Sequence, residues 1–441
     1  MRLPNLLATG RGRLTAFFFL YVTEGIPLGF TATAIGTQMR RQGVEPDKIG
    51  AFVATLYLPW AFKWAVGPVV DTVSFGRYGH RRVWIIAAQL LMTATLLSGV
   101  TIDYVEQLAL FTTLIMVHNA FGATQDVAID ALACNVLHED ERGLANGLMF
   151  AGASVGQAIG GSGVLFLSRY VPFPQTFYFV AACLLAVTVF IALPLREQRE
   201  QSKETAGQGD ALGRIVSEIR DYLVTAFQSF FLNRAAFLGL LYCLLPAGSY
   251  ALGLALQTAL AVELGLNDDQ IAWLNLISTI VFAVACVGGG FVSDRFGRRK
   301  MLAIYTICTA IPAAMLGLLM HQQGWIMPVD PNMDGRPVPS DLLTGAFWAT
   351  TIVYNIVNGL MYGTRSALMM DITSPEVAAT QFTAYMALQN LVISYTANWQ
   401  GKSIVRWGYP TTLFIDASIG LVGLMLLPWM SPSRHSESPK R

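Results

Sequence analysis

Charged side chains are scarce in this sequence. Asp, Glu, Lys and Arg supply 13% of its 441 residues, about half of the roughly 25% typical of soluble domains. Hydrophobic residues supply 54%, and the mean hydropathy is +0.49. That balance excludes an ordinary soluble enzyme and points to a chain that crosses a membrane many times. The net charge of +1 says nothing about acidic partners, and no nucleic-acid partner is expected. Cysteine is scarce as well: Cys134, Cys183, Cys243, Cys286 and Cys308 lie in apolar runs without C-x-x-C spacing, so neither a disulfide framework nor a zinc site is expected. No metal or cofactor is expected. There is no H-E-x-x-H. The one hydrolase-like match, Gly152-Ala153-Ser154-Val155-Gly156, falls inside an apolar run rather than at a strand-to-helix turn, and reads as small residues for helix packing.

What the chain has in abundance is apolar runs. Those able to cross a core of about 30 Å fall at roughly 14–38, 47–71, 83–101, 106–133, 144–168 and 175–195, then at roughly 236–262, 268–293, 301–320, 342–370, 380–403 and 409–430. These predict an all-α integral membrane protein of twelve spans in two sets of six. The first run lacks a small-residue cleavage site before its end and is expected to be retained as a span. The expected organisation is an N-terminal half, 1–195; a linker, 196–235; a C-terminal half, 236–430; and a tail, 431–441. Within the linker, Leu212, Ile215, Val216, Ile219, Leu223, Phe227 and Phe230 recur at helical spacing, predicting an amphipathic helix on the inner membrane surface. With the N-terminus inside, the inner segments hold about 20 Lys and Arg against about 7 outside, so both termini are expected to be cytoplasmic.

The two halves echo each other. Gly67-x-x-x-Asp71 closes the second run and Gly290-x-x-x-Asp294 closes the eighth; Pro27 and Pro246 sit beside glycine in the first and seventh. Paired repeats facing one path are the architecture of secondary transporters. The segment Gly290-Phe291-Val292-Ser293-Asp294-Arg295-Phe296-Gly297-Arg298-Arg299-Lys300 resembles the cytoplasmic loop of the major facilitator superfamily, and Gly67, Asp71 and Arg81 form a first-half copy interrupted by Thr72 to Tyr78. This resemblance implies the major facilitator fold and a conformational role for Gly67, Asp71, Arg81, Gly290, Asp294, Arg295 and Arg298. Leu20 to Phe30, Ala61 to Pro68, Gly122 to Asp130 and Ser374 to Phe382 are similar to the peptide/acetyl-coenzyme A transporter branch, which includes AmpG-like muropeptide permeases.

Two carboxylates, Asp126 and Asp130, lie four apart in the fourth run and share one helix face. An ionisable residue at bilayer depth marks a route for solute or ions, because lipid offers it no partner. Lys63 should lie at similar depth and is the expected partner of Asp126. Glu24, three residues before Pro27, joins Asp126 and Asp130 as a proton-coupling candidate; the alternatives are a purely structural ion pair for Asp126, an end-of-helix residue bonded to nearby loop groups for Asp130, and a hydrogen bond to a neighbouring helix for Glu24. Polar residues crowd the tenth and eleventh runs, where Asn355, Asn358, Tyr362, Arg365, Gln389 and Asn390 suggest a cavity wall, joined by Lys63, Asn119 and Gln125 from the first half. Arg365 is expected to meet a substrate carboxylate or phosphate, or else Asp371.

Together the residues and the resemblance imply a monomeric, proton-coupled importer in the inner membrane. The expected cargo is a peptidoglycan-derived anhydro-muropeptide. A siderophore or acetyl-CoA carrier of the same branch is the nearest alternative, and a membrane-embedded enzyme or non-transporting receptor the alternative of another class.

Overall fold

Proline and glycine decide where the apolar runs bend. The computed structural model describes residues 5–72, 80–138, 141–197, 211–232, 234–373 and 378–430, and its described residues form helices and turns without strands. Helix α1, Gly10–Arg41, starts where the Thr9 side chain accepts the Gly12 N–H and ends on Arg40 and Arg41, whose charges suit the helix C-terminus. Pro27 withholds one backbone donor, and the next turns widen to a π-helix at Phe30–Ile35.

The second run is not one helix. Helix α2, Pro46–Ala61, stops at Phe62 soon after Pro59; a single turn, Lys63–Ala65, precedes the short α3, Gly67–Thr72. Helices α4, Arg81–Gly99, and α5, Leu108–Val136, follow, then α6, Leu144–Leu167, and α7, Phe173–Ala192. The expected linker helix is present as α8, Ala211–Leu232, with Phe230 buried against Tyr385 while Val216, Val224, Phe227 and Phe231 are exposed.

The seventh run is also broken. Helix α9, Arg234–Cys243, gives way around Pro246 to irregular backbone before α10, Ala255–Glu263. Helices α11, Asp268–Phe296, α12, Arg298–Gln322, and α13, Asp341–Asp371, are continuous. Helix α14, Ala378–Ile419, turns sharply at Gly408, whose φ of 82° only glycine adopts cheaply, and short 3-10 turns carry the chain to Trp429. Seven described stretches are long and apolar enough to cross a membrane: α1, α4, α6, α7, α11, α12 and 381–429. The expected spans missing from that set are the second, fourth, seventh and tenth. They are either broken or carry polar residues along their length, and they supply Lys63, Asp126, Asp130 and part of the cavity wall described below.

Helix α1 packs chiefly on α6, α2 on α14, and α11 on α13. The α1–α6 seam is a backbone contact: a Cβ at Gly156 would meet the Val22 carbonyl oxygen at 2.3 Å, and one at Gly160 would meet that of Ile26 at 1.9 Å. Such approach replaces a hydrophobic drive between helices with dispersion contacts. Gly156→Leu therefore forces the helices apart, and overpacking of this kind costs about 1–3 kcal/mol or more. A lowered midpoint in detergent thermal unfolding is expected for Gly156→Leu, with little change for Gly147→Ala, where a Cβ meets nothing within 4 Å.

The apolar core has three parts. The largest joins the two halves at the Arg40 end, where Phe30, Phe52 and Phe111 pack in one cluster with Leu256, Leu260, Tyr354 and Tyr409. At the opposite end each half keeps its own cluster, one around Phe17, Ile85 and Leu132 and the other around Tyr242, Leu302 and Tyr385. Among the described residues, apolar packing seals the two halves together at the Arg40 end and is divided between them at the other.

Candidate functional site

The break after Phe62 brings Lys63 to the face of α5 that carries Asp126. Lys63 Nζ lies 2.7 Å from Asp126 Oδ2, and the Asp126 side chain is only 4% exposed. Glu24 of α1 faces the same carboxylate, and its Oε2 is buried without a hydrogen-bond partner. One turn further along α5, Asp130 accepts a 2.6 Å hydrogen bond from the Tyr21 hydroxyl. Three carboxylates thus surround one ammonium, drawn from α1, the α2–α3 turn and α5.

Gln125 and three residues that sequence reasoning had not singled out, Thr23, Gln89 and Thr188, hold this cluster in place. Gln125 and Gln89 both donate to the Thr23 hydroxyl, at 3.0 and 3.2 Å, and Thr188 donates to the Gln89 side-chain oxygen at 2.8 Å. This buried chain ties α1, α4, α5 and α7 together beside Glu24 and Asp126. A buried polar network of this kind fixes rotamers as well as helix register.

A cavity of about 230 Å³ lies between the halves, walled by polar residues including Thr33, Gln157, Gln257, Asn275, Asn355 and Asn358. None of its lining residues is charged. Asn355 and Asn358 therefore lie where the sequence placed them, and Gln157, Gln257 and Asn275 are additions from α6, α10 and α11. The other substrate-binding candidates are elsewhere. Asn119 donates to the Ile115 carbonyl of its own helix, Gln125 belongs to the Thr23 network, and Gln389 reaches the Cys243 sulfur at 3.6 Å. Asn390 and Lys63 are also outside the cavity wall. Tyr362 packs against the cavity-lining Phe282, with ring centroids 5.8 Å apart. Arg365 is 4% exposed and donates to the Tyr250 hydroxyl at 3.1 Å.

Asp371 is not the partner of Arg365. It pairs with Arg298, which also holds Asp294 at 2.8 Å, so the second-half loop motif is a three-residue ionic link between α11, α12 and α13. Arg295 is exposed and lies over the Phe296 ring, and a Cβ at Gly290 would meet nothing within 4 Å. In the first half, Gly67 begins α3. The Asp71 side chain and Thr373's neighbours Ser374 to Val377 lie outside the described residues. Glu197 takes a capping role there, accepting the backbone N–H groups of His80, Arg81 and Arg82 at the start of α4. Near the same end, Arg13 donates twice to Glu141, at 2.7 and 2.9 Å. Those hydrogen bonds hold the Glu141 carboxyl below its ordinary range, so the link persists at neutral pH and weakens only as pH falls through that lowered value.

Opposite charges close the other end. Arg40, at the tip of α1, donates to Glu263 at the tip of α10 with 2.9 Å from Nε, and the side chains are 3% and 0% exposed. Glu263 also accepts from the Tyr409 hydroxyl at 2.6 Å and the Val329 N–H at 2.8 Å. Arg41–Asp268 and the exposed Arg169–Asp269 add links between the same halves. A second buried acid, Asp416 of α14, caps the break between α9 and α10, accepting from the Ser249 hydroxyl, the Tyr250 and Ala251 N–H groups and Gln400.

The chain matches the sequence profile of the Major Facilitator Superfamily over residues 15–397, and again over 238–441. It is 23% identical over 420 residues to the anhydromuropeptide permease of Escherichia coli (strain K12), covering 94% of this chain and 79% of that one. It is 24% identical over 434 residues to the putative transporter AmpG 4 of Rickettsia conorii, covering 95% and 96%. Among solved structures it resembles a D-xylose–proton symporter, with a TM-score of 0.70 at 12% identity over 95% of this chain and 98% of the other. The nucleoside transporter NupG gives a TM-score of 0.65 at 14% identity, over 95% and 98%.

Proposed function

The chain belongs to the Major Facilitator Superfamily and is a membrane transporter of small-molecule substrates rather than an enzyme; on that premise we propose that it imports anhydro-muropeptides across the inner membrane with protons. The observation that carries the reading is the uncharged, amide- and hydroxyl-lined cavity between the halves, in a chain similar along 94% of its length to an anhydromuropeptide permease. An N-acetylated sugar joined to a peptide presents amides and hydroxyls, and amide side chains such as Asn275, Asn355, Asn358 and Gln157 both donate and accept. Strongly anionic coenzyme A finds no cation in that wall. Pockets for drug-sized ligands span about 300–1,000 Å³, so the 230 Å³ cavity takes part of a large solute while the rest extends toward the divided end.

We assign twelve crossings, the two six-span halves, and the divided end to the cytoplasm together with both termini; the positive-inside count supports this orientation. The sealed Arg40 end then faces the periplasm, and α8 lies on the inner surface with its exposed apolar residues against lipid. The monomer is the working unit. Coupling resides in Glu24, Asp126 and Asp130. Among the described residues Lys63 is the one cation paired with this cluster, so three carboxylates share a single positive charge, and movement of the surrounding helices alters that balance and lets a proton exchange.

Reconstituted protein is expected to take up labelled anhydro-muropeptide faster when the exterior is acidic, with little uptake of a ferric siderophore or acetyl-CoA. Muropeptide flux absent under every gradient, with either rival carried instead, overturns the substrate assignment; equal flux with and without a proton gradient overturns the coupling.

A further inference from the structure

Arg365 is a buried cation with no anion beside it. Its side chain is 4% exposed, its Nε has no hydrogen-bond partner, and no carboxylate lies within ion-pair distance among the described residues. The groups around it are neutral phenols: it donates to the Tyr250 hydroxyl at 3.1 Å, lies 5.2 Å from the Tyr362 ring centroid, and has Tyr242 nearby. Lys63 differs, because Asp126 neutralises it. A desolvated guanidinium is retained at such cost only if something repays it, and residues of this kind mark sites of function.

Its position supplies the rest. Asn358, Tyr362 and Arg365 follow one another along one face of α13. Asn358 lines the cavity, which places Arg365 about 10 Å further along the helix axis, away from the sealed end. Tyr250 directly precedes the turn whose Leu252 and Gly253 also line the cavity. Tyr57, another lining residue, lies close to both Tyr250 and Tyr362. Tyr250 and Tyr362 thus touch the guanidinium, and Tyr57 beside them borders the uncharged cavity. Because the Tyr250 oxygen accepts from Arg365, its own proton remains to be donated.

We propose that Arg365 and the Tyr250 hydroxyl form a carboxylate-binding subsite for the transported solute, which presents one carboxylate here while its amide-bearing part occupies the cavity. One cation among neutral donors matches a singly charged carboxylate better than a doubly charged phosphate. This assignment rests on the reading that the solute binds between the halves, but not on which solute it is.

Two measurements test it on the full-length protein in detergent or vesicles. The first is thermal stabilisation by N-acetylglycine and by N-acetylglycinamide, which share an acetamido group and differ only in the carboxylate. Wild type is expected to be stabilised by the acid more than by the amide, and Arg365→Gln by neither preferentially. Arg365→Lys should retain part of the preference, and Tyr250→Phe should reduce it. Equal stabilisation of wild type by acid and amide, or a preference that survives Arg365→Gln, overturns the subsite whatever the natural solute is. The second is uptake of an anhydro-muropeptide with free carboxyl groups and of the same molecule fully amidated. Arg365→Gln is expected to raise KM for the acid form by about 10–100-fold, the loss of a charge-assisted pair, and to leave the amidated form unchanged. Equal loss for both forms makes Arg365 structural. If wild type transports neither form but keeps its preference for N-acetylglycine, the muropeptide reading fails and the carboxylate subsite stands.

Discussion

Asp126→Ala is expected to abolish proton-driven uptake and to destabilise the protein, and Asp126→Asn to abolish the uptake with a smaller loss of stability. The physical reason lies in the 2.7 Å contact with Lys63, whose side chain is 17% exposed beside a 4% exposed carboxylate. Removing one partner of a buried pair leaves an uncompensated charge, a cost of about 3–5 kcal/mol; the Lys63 ammonium is partly open to solvent and to Glu24, so the lower figure is the better guide. Asn keeps a hydrogen bond to Lys63 but cannot carry the exchangeable proton. Thermal unfolding of the solubilised variants reads the first effect, and uptake at imposed pH differences reads the second.

A double variant separates the pair from the coupling. Lys63→Met with Asp126→Leu replaces the ion pair by apolar groups, which is often neutral for stability, so unfolding should return near the wild-type midpoint. Proton-driven uptake should stay lost while exchange of solute across the membrane continues. Glu24→Gln should reduce proton dependence without the stability loss, because Glu24 Oε2 has no partner to forfeit. If Glu24→Gln and Asp126→Asn both remain fully proton-driven, the carboxylate cluster is not the coupling site.

Much of this cluster was legible because lipid depth makes charge conspicuous. Asp126, Asp130 and Glu24 stand out in apolar runs, and matching their depths was enough to name Lys63. The Asp294–Arg298 link was legible for a different reason: its residues are one turn apart on adjoining helices, so local spacing specifies the contact. The cavity wall was only partly legible. Asn355 and Asn358 line it, while Asn119 and Gln389 lie outside it; Asn119 and Asn355 even make the same hydrogen bond to the carbonyl four residues back, so such amides read alike in sequence whichever one borders a void. Thr23, Gln89 and Thr188 carry no signal at all, because Ser and Thr satisfy themselves in any helix. The breaks at Phe62 and Pro246 were marked by proline, yet the partners they expose, Lys63 and the Asp416 cap, depend on which helices pack there. Arg40 and Glu263 were missed because charges at helix tips are ordinary, and only the three-dimensional meeting of α1 with α10 buries them.

That meeting leads to the other large expected effect. Glu263→Gln should shift the protein toward a conformation open at the Arg40 end. In the sealed state Glu263 is 0% exposed and receives Arg40, the Tyr409 hydroxyl and the Val329 N–H, while Arg40 is also bonded to the Val44 and Val329 carbonyls. All three Arg40 nitrogens and both Glu263 oxygens are therefore hydrogen-bonded, the condition under which a buried pair can be worth its desolvation. When the halves separate at this end, both side chains regain water, so the substitution acts on the sealed state and hardly on the open one. A differential cost of about 3–5 kcal/mol corresponds to a shift of roughly 100- to 4,000-fold in the equilibrium between states. Asp269→Asn, which removes the exposed link to Arg169, should shift it by less than about fivefold, as surface pairs contribute about 0–1 kcal/mol. Spin labels at Lys48, exposed in the first turn of α2, and at Asp334, exposed in the loop between α12 and α13, provide the measurement. Wild type should give one short distance, Glu263→Gln a dominant longer one, and Asp269→Asn the wild-type distribution. An unchanged distribution in Glu263→Gln would mean that the shared apolar core around Phe30, Phe52, Leu256 and Tyr409 seals this end by itself, with the ion pair fixing only the register of α1 on α10.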